Sequence, residues 1–245
     1  VSAAAVDAVP ADLRDRVILI TGAAGGLGAA AARAAAAAGA TVVLLGRKPA
    51  KLERVYDAVE ALGPEPLLYP LDLAGASPDD YAELAARIGS ELGRLDGVLH
   101  CAADFPGLTP LEQADPAVLA RNVHVNLTAR AWLSQACLPL LRQRDDAALV
   151  FVLDDIERVG QAYWGGYGVA QHAQHGLIAS LHRETAAGSV RVAGLQPGPM
   201  RTPLRARAYL HEEDREAVEP QRYAHACVQL LATQGAAHRG TVWRP

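Results

Sequence analysis

Chemistry in this chain concentrates in a few short stretches. Thr21-Gly22-x-x-x-Gly26-x-Gly28 follows the apolar run Val17 to Ile20 and opens into a stretch that is nearly all alanine, Ala29 to Ala38. Glycines so placed let the backbone turn sharply and come close to an anion, which the free N–H groups of the next helix would meet. The same glycines also suit a tight strand-to-helix turn that holds nothing. Tyr167 and Gln171 are four residues apart, which sets a phenol and an amide on one helix face. His175 falls one turn further along that face, either as a proton relay or substitute cation or as a helix-surface or dimer-interface histidine. Asp154 and Asp155 form a carboxylate pair at a strand end, open to acid–base or metal chemistry or to plain solvation and N–H bonding. His172 and His175 have no carboxylate or cysteine at ligand spacing, so no metal site is expected. Arg201 and Arg205 would suit an acidic substrate, or form an exposed basic face.

The elements that must position these residues alternate in type. Strand-length apolar runs fall at 17–20, 41–45, 66–71, within 95–103, and at 148–153, 191–195 and 240–243, with helical stretches between them. The first run has no polar alternation, as in a strand covered on both faces of a parallel sheet. Residues Tyr81, Leu84, Ala85, Ile88 and Leu92 recur near the 3.6 period over 79–92. Further helices are expected over 49–62, from about 125 to 141, after Tyr167, and over 221–233. The pattern predicts an α/β fold, a doubly wound (Rossmann-type) parallel sheet of about seven strands in one domain over 13–245, after a flexible lead-in over 1–12.

Composition narrows the partners. With 245 residues, 51% hydrophobic and 20% charged, the chain can bury a full core. A net charge of −4 gives no general attraction to nucleic acid or anionic membranes. Cys101, Cys137 and Cys227 are odd in number and far apart, which favours reduced thiols and a cytoplasmic location. No apolar window is long enough for a membrane span.

The glycine spacing, Asn126, Tyr167 and the segment Gln196-Pro197-Gly198-Pro199-Met200-Arg201-Thr202-Pro203 together resemble the short-chain dehydrogenase/reductase family, and the similarity runs along almost the whole chain. The resemblance implies a nicotinamide cofactor held by Thr21, Gly22, Gly26, Leu27 and Gly28, with Asp72 and Leu73 beside the adenine and Pro197, Gly198 and Thr202 beside the nicotinamide. Arg47 and Lys48 end the second strand with no acid there, which favours NADP(H) over NAD. It also implies a small carbonyl or alcohol substrate under a lid over about 200–218 that includes Arg205, Arg207 and Tyr209, Tyr167 as acid or base, and Asn126 holding a relay water through its backbone carbonyl. A homodimer or homotetramer would form through helices near 125–143 and 165–187.

Departures from the family's pattern gather at the chemical centre. Its Asn-Ala-Gly after the fourth strand reads Cys101-Ala102-Ala103, which removes an amide that braces the sheet and adds a methyl where the cofactor would pass. Asp154 stands for the family's serine and Gln171 for its lysine. Gln171 can hydrogen-bond a ribose but supplies no field, and the only lysines, Lys48 and Lys51, lie at the adenosine end, so no substitute lysine is expected. Like charges on Tyr167 and Asp154 about 4 Å apart would repel by about 4 kcal/mol, so the phenol should stay protonated at neutral pH. Two readings follow: an NADP(H)-dependent oxidoreductase in which Tyr167 gives a proton to a developing alkoxide, or a protein that keeps the fold and serves as cofactor sensor, scaffold or partner subunit. A changed reaction, such as a dehydration or isomerisation through Asp154, is a third.

Overall fold

Parallel strands need a crossover between neighbours, and the crossover helices then cover both faces of the sheet. In the computed structural model, which describes residues 11–209 and 217–245, the strands are β1 (Val17–Thr21), β2 (Thr41–Gly46), β3 (Leu67–Pro70), β4 (Gly97–His100), β5 (Ala147–Val152), β6 (Val190–Leu195) and β7 (Val242–Trp243). They lie in the order β3-β2-β1-β4-β5-β6-β7, every pair parallel. The helices are α1 (Gly26–Ala37), α2 (Pro49–Glu60), α3 (Pro78–Leu92), α4 (Pro116–Val123), α5 (Ala129–Leu141), α6 (Ile156–Val159), α7 (Gly165–Thr185) and α8 (Ala224–Leu231). This is the doubly wound sheet that the sequence predicts. The chain reverses direction across the sheet between β1 and β4, and there a crevice opens at the carboxyl ends of the strands.

Alternate strand residues feed two cores. Ile18, Ile20, Val42, Leu44 and Val150 face α1, α2 and α8, while Val17, Leu19, Val43, Val98, Leu149 and Phe151 face α3, α5 and α7. Full burial of each such side chain contributes about 1.5–3 kcal/mol, so the two layers dominate the stability. Alanines on α1, among them Ala31, Ala32, Ala35 and Ala36, are buried and let that helix lie close to the sheet. On the edge away from the crevice, Asp146 accepts from Arg16 at 2.7 Å and from Arg191 at 2.6 Å, tying the starts of β1, β5 and β6 together.

Differences from the sequence pattern have local causes. The helix expected over 221–233 is shorter at both ends, flanked by 3-10 turns at Pro220–Tyr223 and Thr233–His238, and Arg191 takes up its last carbonyls. The helix expected from about 125 is the continuation of α4, joined to α5 through a π-helical turn, His124–Thr128, that contains Asn126. Leu13 is fully buried and bonds Ala38, so ordered chain begins by that residue. Most of the expected lead-in, 1–10, and residues 210–216 of the expected lid lie outside the described residues.

Candidate active site

A cleft of about 690 Å³ runs along the carboxyl ends of the strands. Its wall is built strand by strand: Arg47 and Lys48 beyond β2, Gly22 and Ala24 to Gly28 beyond β1, Asp72 and Leu73 beyond β3, Cys101 to Phe105 beyond β4, Asp154 beyond β5, and Pro197 to Met200 with Thr202 beyond β6. Tyr167 and Gln171 reach it from α7. Two of the expected site residues stand behind the wall. Thr21 is buried, and its Oγ1 accepts the Ala102 N–H at 3.0 Å, so it positions the turn rather than lining the cleft. Asn126 is buried too; its side chain accepts from the Asp104 N–H at 3.1 Å and donates to the Asp104 carbonyl at 2.7 Å, clasping the loop after β4.

The glycine turn has the form of an anion cradle. Gly22 has φ +64, and a Cβ there would meet the Ala102 backbone at 2.8 Å. A Cβ on Gly28 would meet the Gly22 carbonyl at 2.3 Å, and one on Gly26 the Thr202 methyl at 2.9 Å. Gly25 caps α1 with no side-chain hydrogen bond, so the N–H groups of the first turn are free to receive an anion. Arg47, Lys48 and Lys51 make the β2 end of the cleft cationic, with Asp72 opposite, its Oδ1 accepting from the Ala74 N–H.

At the other end Tyr167, only 4% exposed, donates from Oη to Asp154 Oδ2 at 3.0 Å. Burial raises the phenol's proton affinity most, the Asp154 charge and hydrogen bond raise it further, and Arg130 and the Gln171 amide oppose them. The sequence gives the direction correctly, but the first cause is burial. An apolar wall seals this end: Phe105 stacks on Trp164 with ring centres 4.9 Å apart and lies 5.1 Å from the Tyr167 ring. Asp155 also lines the cleft; its Oδ1 caps α6 by accepting from the Glu157 N–H at 3.0 Å, and its own N–H goes to Asp154 Oδ1 at 2.8 Å.

Arg130 bears on both departures at the centre. The brace lost with the asparagine is remade, because Arg130 donates from Nη2 to the Ala102 carbonyl and from Nη1 to the Val152 carbonyl, joining the ends of β4 and β5. A replacement cation also exists: Arg130 lines the cleft, 1% exposed, and its charge is felt by Tyr167. Its place on α5, one turn after Asn126, signals neither role in the sequence, since only tertiary contact turns it toward the strand ends. His175 is not among the residues that line the cleft, and burial, with the His172 and Arg244 charges, lowers its proton affinity. Arg201 is exposed and lies 3.6 Å from Glu219, whereas Arg205 lines the cleft and stacks over Tyr209 at 4.4 Å. Ala103 lines the cleft as expected. Phe105, Asp104 and Arg158 are further lining residues that the sequence does not single out. Among the described residues no helix is long and apolar enough to cross a membrane, and no group of three or more ligating side chains is placed to hold a metal ion.

Comparison with known proteins agrees with this architecture. The chain is 38% identical over 209 residues to the uncharacterised Escherichia coli K12 oxidoreductase YciK, covering 85% of this chain and 82% of that one. A Pseudomonas syringae structure described as a short-chain dehydrogenase superposes with a TM-score of 0.91 at 42% identity, covering 97% of each chain. An E. coli CFT073 short-chain dehydrogenase crystallised with NADPH superposes with a TM-score of 0.91 at 35% identity, over 96% of this chain and 98% of that one. The family model for short-chain dehydrogenases matches residues 16–213, and with the glycine turn, the seven-stranded sheet and the tyrosine of α7 in their places, the chain belongs to that family of oxidoreductases.

Proposed function

We propose that this protein is an NADP(H)-dependent reductase of a small carbonyl compound, in which Tyr167 gives the proton. The single observation that carries the reading is the Tyr167–Asp154 hydrogen bond at the sealed end of a cleft whose other end is a glycine cradle beside Arg47 and Lys48. Gly22, Gly26 and Gly28 would hold the pyrophosphate with the open first turn of α1, and Arg47 and Lys48 would take the 2′-phosphate. Leu73 and Asp72 would flank the adenine, and Pro197, Gly198 and Thr202 the nicotinamide. The E. coli and Shigella flexneri relatives crystallised with NADPH and NADP support this choice of nucleotide. When bound, the cofactor supplies hydride to the carbonyl carbon.

The protein's own part is to orient, exclude water and move one proton. Phe105 and Trp164 keep solvent from Tyr167, which strengthens the electrostatic interactions around its oxygen. As negative charge develops on the substrate oxygen, the Tyr167 Oη–H bond breaks and the product O–H bond forms. Gln171 presents its amide at the phenol oxygen and would hydrogen-bond the ribose. Asn126 holds the loop that carries Ala102 to Phe105, with its backbone carbonyl as the seat of a relay water. The segment over about 200–218 would serve as the lid, and the outer faces of α5 and α7, where Val169 is exposed, would join copies of the chain in a homodimer or homotetramer. Activity of the purified protein in the cytoplasmic range of pH with NADPH and a panel of aldehydes and ketones tests the reading. Tyr167→Phe should lose at least about 100-fold in kcat while still binding NADPH, and a Phe variant as active as the parent would overturn the assignment.

A further inference from the structure

Two arginines reach the tyrosine end of the cleft without a carboxylate of their own. Arg207 lines the cleft from the 3-10 turn Arg205–Arg207 and donates from Nη1 to the Phe105 carbonyl at 2.5 Å. That acceptor is neutral, and the Phe105 ring lies 5.1 Å from the Tyr167 ring. Arg158 lines the cleft from α6, next to Val159. Val159 is buried in one apolar cluster with Phe105, Trp164 and Tyr167, against which Leu204, Ala208 and Tyr209 pack. Both cations therefore flank the apolar group that encloses the phenol. Arg205, on the same turn as Arg207, lies over the Tyr209 ring at 4.4 Å, and that ring is 6.5 Å from Trp164, which holds the turn against the cluster.

The acids at this end are already occupied. Asp104 is held by Arg121 at 3.1 Å and Asn122 at 2.8 Å, Asp154 accepts from Tyr167 and from the Asp155 N–H, and Asp155 caps α6. Among the described residues neither Arg207 nor Arg158 makes an ion pair. A guanidinium keeps its charge at every working pH and presents a planar fork of donors that matches a carboxylate. Arg207 uses one donor on Phe105, which pins the fork and leaves its other donors for a ligand, so less side-chain freedom is lost on binding.

Position then restricts the ligand. The Asp154 carboxylate lies 3.0 Å from the phenol oxygen, so an anionic group directly beside the reacting carbonyl would be repelled. An anionic group set off by a short apolar link would instead lie along Phe105, Trp164 and Leu204, which line the cleft, and reach the arginines beyond them.

We propose that the substrate is an oxo acid, a carbonyl compound whose carboxylate is separated from the carbonyl by a short apolar link, and that Arg207 binds the carboxylate, with Arg158 adding to the field. The proposal rests on the reductase reading for the reacting carbonyl, but the anion site is measurable without turnover.

The test compares levulinate, whose carboxylate is set off from the ketone, and pyruvate, whose carboxylate adjoins it, each against its uncharged methyl ester. With NADPH, kcat/KM should favour levulinate over methyl levulinate at least about tenfold, and pyruvate should show no such preference over its ester. R207M should lower the levulinate-to-ester ratio at least about tenfold, R207K should recover part of the loss, and R158M should lower the ratio by less. Each ratio is taken within one protein, so a general loss from a disturbed turn cancels. Separately, levulinate is titrated calorimetrically into the parent and R207M proteins in the presence of NADP, which cannot reduce it. Its affinity should fall at least about tenfold in R207M, and added salt should weaken it more steeply in the parent. A ratio that R207M leaves unchanged, or a methyl ester reduced as well as the acid, overturns the oxo-acid assignment and leaves the reductase reading standing. Levulinate that fails to bind the NADP complex overturns the anion site as well. Levulinate that binds that complex through Arg207, in a protein that reduces no carbonyl with NADPH, keeps the anion site and overturns the reductase reading instead.

Discussion

Tyr167 Oη and Asp154 Oδ2 are 3.0 Å apart, with the phenol donating, so the acid of this site is paired with a carboxylate rather than with a neutral hydroxyl. Burial is the largest cause of its raised proton affinity, and the Asp154 charge and hydrogen bond come next. Asp154→Ser removes the second group of causes and leaves the first. Tyr167 should then ionise at a lower pH, though still above its ordinary value, and the phenolate needed for alcohol oxidation becomes more accessible. Oxidation assayed near pH 9 should rise at least about tenfold, the equivalent of one pH unit. An oxidation rate equal to the parent's across the pH range would mean that the carboxylate charge is not felt at the phenol.

Gly22 combines a left-handed backbone with the closest approach to the strand end beside it. Gly22→Ala places a methyl at φ +64 against the Ala102 backbone. It should cost about 2 kcal/mol of stability, or roughly 4–8 °C in Tm for a chain of this size. NADPH binding should weaken in parallel, as the loop after β4 moves to make room. Scanning calorimetry with and without nucleotide measures both effects.

Arg47 and Lys48 stand exposed at the β2 end of the cleft, with no acid beside them in sequence. Replacing both by alanine should weaken NADPH at least about tenfold, equivalent to about 1.4 kcal/mol, and leave NADH within about twofold. The NADPH affinity of the parent should also fall with added salt more steeply than that of the variant. Titration calorimetry with the two nucleotides in low and high salt reads the difference, and equal losses for both would remove the 2′-phosphate from these residues.

Asp146 clamps the far edge of the sheet. Burial alone would raise its carboxyl, but the hydrogen bonds and charges of Arg191 and Arg16 outweigh it and hold the carboxyl below its ordinary value. A carboxylate lowered by folding lends its full stabilisation above the unfolded value, near pH 4, and loses it as pH falls through the folded value. Asp146→Asn should therefore destabilise by about 2 kcal/mol at pH 7, since both arginines lose a partly buried partner. The gap to the parent should narrow steadily below about pH 4. Urea unfolding of both proteins between acid and neutral pH follows it.

Much of the fold is legible in the sequence because it depends on short-range patterns. Unalternating apolar runs such as Val17 to Ile20, the glycines of the turn, and the helical period of 79–92 each specify an element from its own residues, and alternation of strand and helix fixes a parallel sheet. Parallel order then sends every strand end to one edge, which is why residues as distant as Lys48, Asp72, Tyr167 and Thr202 meet along one cleft. Boundaries were less legible where side chains from elsewhere intervene, as at the end of α8, where Arg191 takes the carbonyls. Thr21 and Asn126 stand out by motif, yet whether each faces the cleft or supports it from behind depends on the loop that Ala102 and Asp104 form.

The sequence by itself determined the architecture, the glycine turn and the basic end of β2, because each of these follows from local spacing and strand order, while the meeting of Asp154 with Tyr167 was implied by the resemblance to the family. Only the tertiary structure decided the charge balance of the centre. A buried charge acts through space in a medium of low dielectric, where its effect depends on distance and burial rather than on position along the chain. Arg130 is 24 residues before Asp154 and 41 before Gln171 in sequence, but folding turns it under the ends of β4 and β5, and so supplies both the brace and the cation that a reading along the chain finds missing.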